Sequence, residues 1–207
     1  LLFGADLRAV LRATGSLSVT NDINWAGITT SFISADITGA DGNAMTFDDP
    51  AISTGFSAAD MPVGEYTVTV TDDWDVTYVI PEVFIEADAE SELSVVIEYA
   101  TSGAINLMNS IDNLDGDEVF VVGLYSTDPN ADVVSLDDAR NWLEGAELGF
   151  GQETLALGVP VGTYHVILAD MDDNYYLKAD VGVAAGAVTD VTVTQEDRDE
   201  DLTLALN

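Results

Sequence analysis

The sequence predicts an all-β chain of two tandem β-sandwich domains, on three observations. The segment Met61-Pro62-Val63-Gly64-Glu65-Tyr66-Thr67-Val68-Thr69-Val70 returns as Val159-Pro160-Val161-Gly162-Thr163-Tyr164-His165-Val166-Ile167-Leu168. An Asp-rich turn and a further apolar strand follow each copy, and apolar and polar residues alternate nearby as in strands with one buried face. A chain of 207 residues holds one large or two small domains, and a repeat of roughly 90 to 100 residues favours two.

Gly15 to Val19 alternates as a first strand, and Gly103 to Leu107 opens the second unit in the same way. Ile33 to Ile37 and Val119 to Tyr125 follow as second strands, the latter apolar enough for burial on both faces. In the signature, Pro62 and Pro160 preset a turn, and Gly64 and Gly162 permit the positive φ such a turn can need. Tyr66, Val68 and Val70 then share one face, with Thr67, Thr69 and Thr71 on the other. Val83 to Ile85 matches Val181 to Val183, and Leu93 to Ile97 matches Val191 to Val193 as the closing strand. The divisions are an N-terminal arm at 1–13, sandwiches at 14–100 and 101–194, and an acidic spacer with a last strand at 195–207. The linker Ala100-Thr101-Ser102 is too short for independent swinging. Between Ser135 and Gly145 a short helix is expected in the second domain, capped by Ser135, striped by Leu136, Ala139 and Leu143, and ended by Gly145. Its expected role is to lid one sandwich end.

Thirty-eight acidic residues against five basic ones give a net charge of −33, far beyond the roughly 2 to 8 units usual for a small domain. Such a chain repels itself in dilute buffer. Molar salt shortens the screening length from about 8 Å to about 3 Å, and divalent cations cancel charge directly, so a saline (halophilic) or calcium-rich setting is expected. Nucleic acid and anionic membranes are poor partners for this surface. The chain has no cysteine, which removes thiol chemistry and disulfides. No apolar run approaches the roughly 18 residues of a membrane span. Leu1 in place of Met suggests a processed or truncated product whose export signal has already gone.

The PVG-Tyr turn-strand, its polar loop and the closing Val/Thr strand resemble the transthyretin-like (prealbumin-like) β-sandwich superfamily, with its Ig-like layering. Carboxypeptidase regulatory-like and collagen-adhesin B-type repeats belong to it. The resemblance spans most of residues 14 to 194 and rests on a short structural motif. It implies a stalk, adhesin or pilus role at the cell surface and carries over no catalytic residue. B-type repeats often hold a lysine–asparagine isopeptide bond, for which Lys178 is the sole candidate lysine here.

Two segments fall outside the repeat. In residues 1–13, read as a strand, Leu1, Phe3, Leu7 and Leu11 share an apolar face with Asp6, Arg8 and Arg12 opposite. Such a basic arm would be drawn to another subunit's acidic body and fill a groove by strand addition. A first strand of the same domain and an amphipathic helix are the alternative readings. At the other end Gln195 to Asp201 reads as a solvated spacer, and Leu202, Leu204 and Leu206 alternate in a last strand that needs cover. Open head-to-tail exchange of such strands builds filaments of a single protein.

Aspartates cluster after both signature strands, at Asp72, Asp73 and Asp75 and at Asp170, Asp172 and Asp173, and again at Asp112, Asp115 and Asp117. Carboxylates suit Ca²⁺, the one cofactor expected, although neither stretch has full calcium-loop spacing and wet acidic loops explain them as well. Trp25, Trp74, Trp142, Tyr175 and Tyr176 could line a carbohydrate platform or simply cap cores. His165, the only histidine, replaces Thr67 on an outward face, with no nucleophile elbow to serve. An enzyme is therefore not expected. The leading expectation is a secreted structural subunit that polymerises by strand exchange; the alternative is a calcium-dependent adhesin or carbohydrate-binding stalk module.

Overall fold

The computed structural model describes residues 13–42, 44–47, 52–112, 119–126 and 147–201. Its first half comprises β1 (Thr14–Asn21), β2 (Asn24–Trp25), β3 (Ile28–Thr29), β4 (Phe32–Gly39), β5 (Ala44–Phe47), β6 (Gly55–Pro62), β7 (Gly64–Asp72), β8 (Thr77–Ile85) and β9 (Glu90–Val95). Its second half comprises β10 (Gly103–Ser110), β11 (Val119–Ser126), β12 (Glu147–Leu148), β13 (Glu153–Val159), β14 (Gly162–Asp170), β15 (Tyr175–Val183) and β16 (Val188–Thr194). The expectation of a mostly β chain holds.

Each half layers a three-stranded sheet on a four-stranded one. The orders are β6-β1-β9 and β5-β4-β7-β8 in the first half, β13-β10-β16 and β12-β11-β14-β15 in the second. The opening strand of each half runs antiparallel to one neighbour and parallel to the closing strand. Alternation then does what period two requires. Leu17, Val68 and Val70 are fully buried in the first core, and Leu107, Val166 and Leu168 in the second.

The halves agree down to their irregularities. The register of β1 on β6 slips between Gly15 and Leu17, and that of β10 on β13 between Gly103 and Ile105. The extra residue beside each slip is left-handed, Asp60 at φ 54° and Gly158 at φ 71°. A second bulge places Glu82 at φ 58° and Asp180 at φ 56°. Tyr66 and Tyr164 each donate their hydroxyl to a carbonyl four residues back, Pro62 O at 2.7 Å and Pro160 O at 2.8 Å. That bond lets a large ring cover the core edge without stranding its polar tip.

Several expectations need correction. Gly64 and Gly162 do not take positive φ; each starts a strand, and the left-handed positions fall instead on Asp75 and Asp173 in the loop beyond. The first closing strand stops at Val95, and Ile97–Tyr99 forms a 3-10 turn. The start of the acidic spacer is tied to the fold: Gln195–Asp197 is a 3-10 turn in which Asp197 caps the Thr194 N–H at 2.8 Å. The Lys178 ammonium, the candidate for an isopeptide bond, pairs with Asp197 at 3.1 Å. Residues 1–12 of the arm, the helix expected over 135–145, Asp115, Asp117 and the last strand at Leu202, Leu204 and Leu206 lie outside the described residues.

Candidate assembly surfaces

The two Asp-rich loops are built as turns. Asp72 is fully buried and its Oδ1 accepts the Trp74 and Val76 N–H groups at 3.0 and 2.9 Å, while Oδ2 accepts the Tyr78 hydroxyl at 2.8 Å. The Trp25 indole N–H in turn donates to the Tyr78 oxygen at 2.9 Å. In the second half, Asp170 Oδ1 accepts the Asp172 and Asn174 N–H groups at 3.0 and 2.9 Å, and Oδ2 accepts the Tyr176 hydroxyl at 3.0 Å. Both carboxylates are thereby committed to their own loops. Burial raises the Asp72 pKa above the ordinary carboxylate range against the hydrogen bonds from Tyr78, Val76 and Trp74. Burial also pushes Asp170 upward, but bonds from Asn174, Tyr176 and Asp172 outweigh it and hold the group below that range.

Asp73 Oδ1 accepts the Ser31 N–H at 2.9 Å, and Asp75 and Asp173 serve as the left-handed turn residues. Asp112 and Asp172 are exposed. Among the described residues no three His, Asp or Glu side chains converge on a point where a metal could sit. Of the aromatics considered for a platform, Trp25 and Tyr176 are buried, Trp74 packs against the first core and Tyr175 is half-buried on β15, while Trp142 lies outside the described residues. Outside these loops, a groove lined by Asn21, Asp22, Asn24, Thr29, Ser31 and Ser53 offers hydroxyls and amides without an aromatic face. His165 Nδ1 accepts the Asp180 N–H at 3.3 Å, which anchors the ring across the bulge. Among the described residues no helix is long and apolar enough to cross a membrane.

Sequence reasoning missed the junction of the halves. Ala104 and Leu157 of the second half are buried in the core cluster of the first, and Leu155 and Val188 pack on it beside Trp74, Ile97 and Tyr99. The backbones touch too. A Cβ on Gly186 would lie 2.6 Å from Ile97 O, and one on Gly158 would lie 3.6 Å from Val76 Cγ2. The linker is bound on both sides, since the Thr101 N–H donates to Thr77 O at 2.8 Å and the Gly186 N–H to Ser102 O at 2.9 Å. The available signal was a contrast between copies. Ser57, Ala59 and Glu90 of the first half become Leu155, Leu157 and Val188 at the same register positions of the second.

No family model matches the chain and no curated protein matches it. Solved structures do. A fimbrial protein from Bacteroides ovatus is 10% identical with a TM-score of 0.46, over 88% of this chain and 49% of that one. The Bacillus anthracis TIE protein is 10% identical at 0.32, over 88% and 34%. The major pilin T-13 of Streptococcus pyogenes is 11% identical at 0.30, over 88% and 97%. The chain thus spans less than half the length of the first two. At these scores the likeness carries no argument, and a functional reading rests on the chain's own residues.

Proposed function

We propose that this chain is a non-catalytic structural subunit of an extracellular or cell-surface assembly, a stiff two-part spacer that joins further copies through its terminal segments. The junction carries the reading: residues of the second half complete the core of the first, so that hinging would expose Leu157 and Ala104. Fully burying a leucine is worth about 1.5–3 kcal/mol, enough to keep the halves aligned. A spacer needs stiffness and a soluble surface, and the net charge of −33 supplies the second. Joining through the termini is supported by the alternation of Leu1, Phe3, Leu7 and Leu11 beside Arg8 and Arg12, a basic arm on an acidic body.

Electron microscopy of the purified chain and of a variant lacking residues 1–13 tests this. Filaments are expected from the intact chain and none from the deletion. Filaments from both would sink the role of the arm, and none from either would sink polymerisation. Saturable calcium or sugar binding by a monomer in calorimetry would favour a binding module instead.

A further inference from the structure

We propose that the surfaces meeting at the junction are a matched docking pair present once in the chain, each fitting the other half of the same molecule, and that their counterparts at the free ends reject a further copy. This goes beyond the spacer reading and does not need terminal strand exchange.

Each half has a proximal face, around the start of its opening strand, and a distal face, around the loop after its signature strand. The register makes the faces comparable residue by residue, because the Ala58 position beside Leu17 recurs as Ala156 beside Ile105, and the bridge from Tyr78 to Ala100 recurs from Tyr176 to Arg198. On the proximal face the second half carries Leu155, Leu157 and Val188, where the first carries exposed Ser57, Ala59 and Glu90. On the distal face the first half carries Trp74, Val76 and Ile97, where the second carries Asp172, Asn174 and Gln195. Apolar side chains occupy these positions where the halves meet. At the free ends they are mainly polar or acidic.

The backbone gives independent support. Gly186 and Gly158 lie at φ 64° and 71°, and their counterparts Asp88 and Asp60 hold nearly the same angles, 56° and 54°. Conformation alone therefore does not demand glycine here. Proximity does at Gly186, where a Cβ would strike Ile97 O. In the first half the same corner is open to water and aspartate is used.

Stacking a second copy on the free ends would bring Asp60, Asp88 and Glu90 against Asp172 and Glu196, burying an excess of like charge. Among the described residues the nearby cations are Lys178, paired with Asp197, and Arg198, hydrogen-bonded to Asn174 Oδ1 at 2.6 Å, fewer than the carboxylates they would have to offset. The sandwich ends are closed by their side chains, including the Asp88 Cβ where the junction has Gly186, on backbone angles that repeat those at the junction.

Restoring the apolar residues should reopen them. One full-length variant takes Ser57→Leu, Ala59→Leu, Asp88→Gly and Glu90→Val, and a second takes Asp172→Trp, Asn174→Val, Gln195→Ile and Arg198→Ala. Sedimentation velocity of each alone, of the wild type and of an equimolar mixture is the test. A 1:1 complex formed on mixing, beyond anything each protein forms alone, is expected; association through the termini is common to all three and cancels in that difference. No added complex from folded variants would overturn the proposal, as would wild-type ends that bind each other as tightly as the mixture. If either variant fails to fold, Leu155→Ser, Leu157→Ala and Val188→Glu place first-half residues in the junction. Red-shifted tryptophan emission and a broadened small-angle scattering profile with strand circular dichroism retained are then expected; unchanged emission and scattering overturn the proposal.

Discussion

The loop after the signature strand occurs twice on one backbone plan, at Asp72 and at Asp170, and the two differ in what they face. Both carboxylates gather the N–H groups two and four residues ahead and a tyrosine hydroxyl six ahead, and both turns close on a left-handed aspartate, Asp75 at 58° and Asp173 at 57°. Around Asp72 the neighbours are Trp25, Trp74 and Val76, and the other half lies over them. Around Asp170 they are Asn174, whose amide donates to both carboxylate oxygens, and Arg198, which bonds Asn174. The duplicated backbone was kept, and the side chains follow what each copy touches.

The largest test of that contrast is at the paired left-handed corners. Gly186→Asp puts the first half's residue into the second, with its Cβ 2.6 Å from Ile97 O and a carboxylate forced into the junction. Overpacking typically costs about 1–3 kcal/mol, and the buried charge places this change near 3 kcal/mol. The reciprocal Asp88→Gly changes an exposed corner and should cost less than about 1 kcal/mol. Urea denaturation of both variants decides it: equal losses would mean that the contact at Gly186 does not set the residue.

Next comes the buried hydroxyl. Tyr78→Phe leaves the Trp25 N–H without its acceptor and Asp72 Oδ2 without its donor. Unsatisfied buried groups cost about 1–3 kcal/mol, so a loss near 2 kcal/mol is expected. Tyr176→Phe removes one donor from Asp170, which keeps Asn174 and the backbone of Asp172, and about 1 kcal/mol is expected. Burial and Asp72 push the Tyr78 hydroxyl far up, and burial and Asp170 raise Tyr176 to about 12. An absorbance titration of the folded wild type should therefore show Tyr176 ionising first of the two. The reverse order would contradict the contrast.

Most strands that sequence reasoning found show a clear period of two, such as Tyr66 to Val70 and Val181 to Val183, and Val119 to Tyr125 was found as a continuous apolar run. It missed β6 and β13 because each carries a bulge at Asp60 or Gly158 that resets the two-residue period, and β5 and β12 because four and two residues are too few to display one. The duplication was legible because both copies keep the Pro-Val-Gly-x-Tyr corner. The junction was not, because Leu155, Leu157 and Val188 look like ordinary strand residues until aligned by register with Ser57, Ala59 and Glu90. How each acidic loop holds its aspartates was not legible, because composition cannot distinguish a carboxylate facing water from one, like Asp72, already bonded to its own backbone.

The smallest expected effect is a difference in pH dependence. Asp170 has its pKa lowered in the fold, so its contribution to stability is present above the unfolded value near 3.8 and lost as pH falls through the lower folded value. Asp72 has its pKa raised, so ionisation opposes folding: the site favours the folded state most below the unfolded value, and that advantage fades as pH rises through the folded one. Asp170→Asn should therefore cost more at pH 7 than at pH 3. Asp72→Asn should do the opposite, since amide oxygen still accepts from Trp74 and Val76 while the desolvated charge is gone. Referring each variant to wild type at the same pH removes the background from the other carboxylates, which neutralise alike in all three proteins. Differences of the same sign at both sites would mean that the neighbours of the two loops, Trp74 and Val76 in one and Asp172 and Asn174 in the other, do not govern how their aspartates are held.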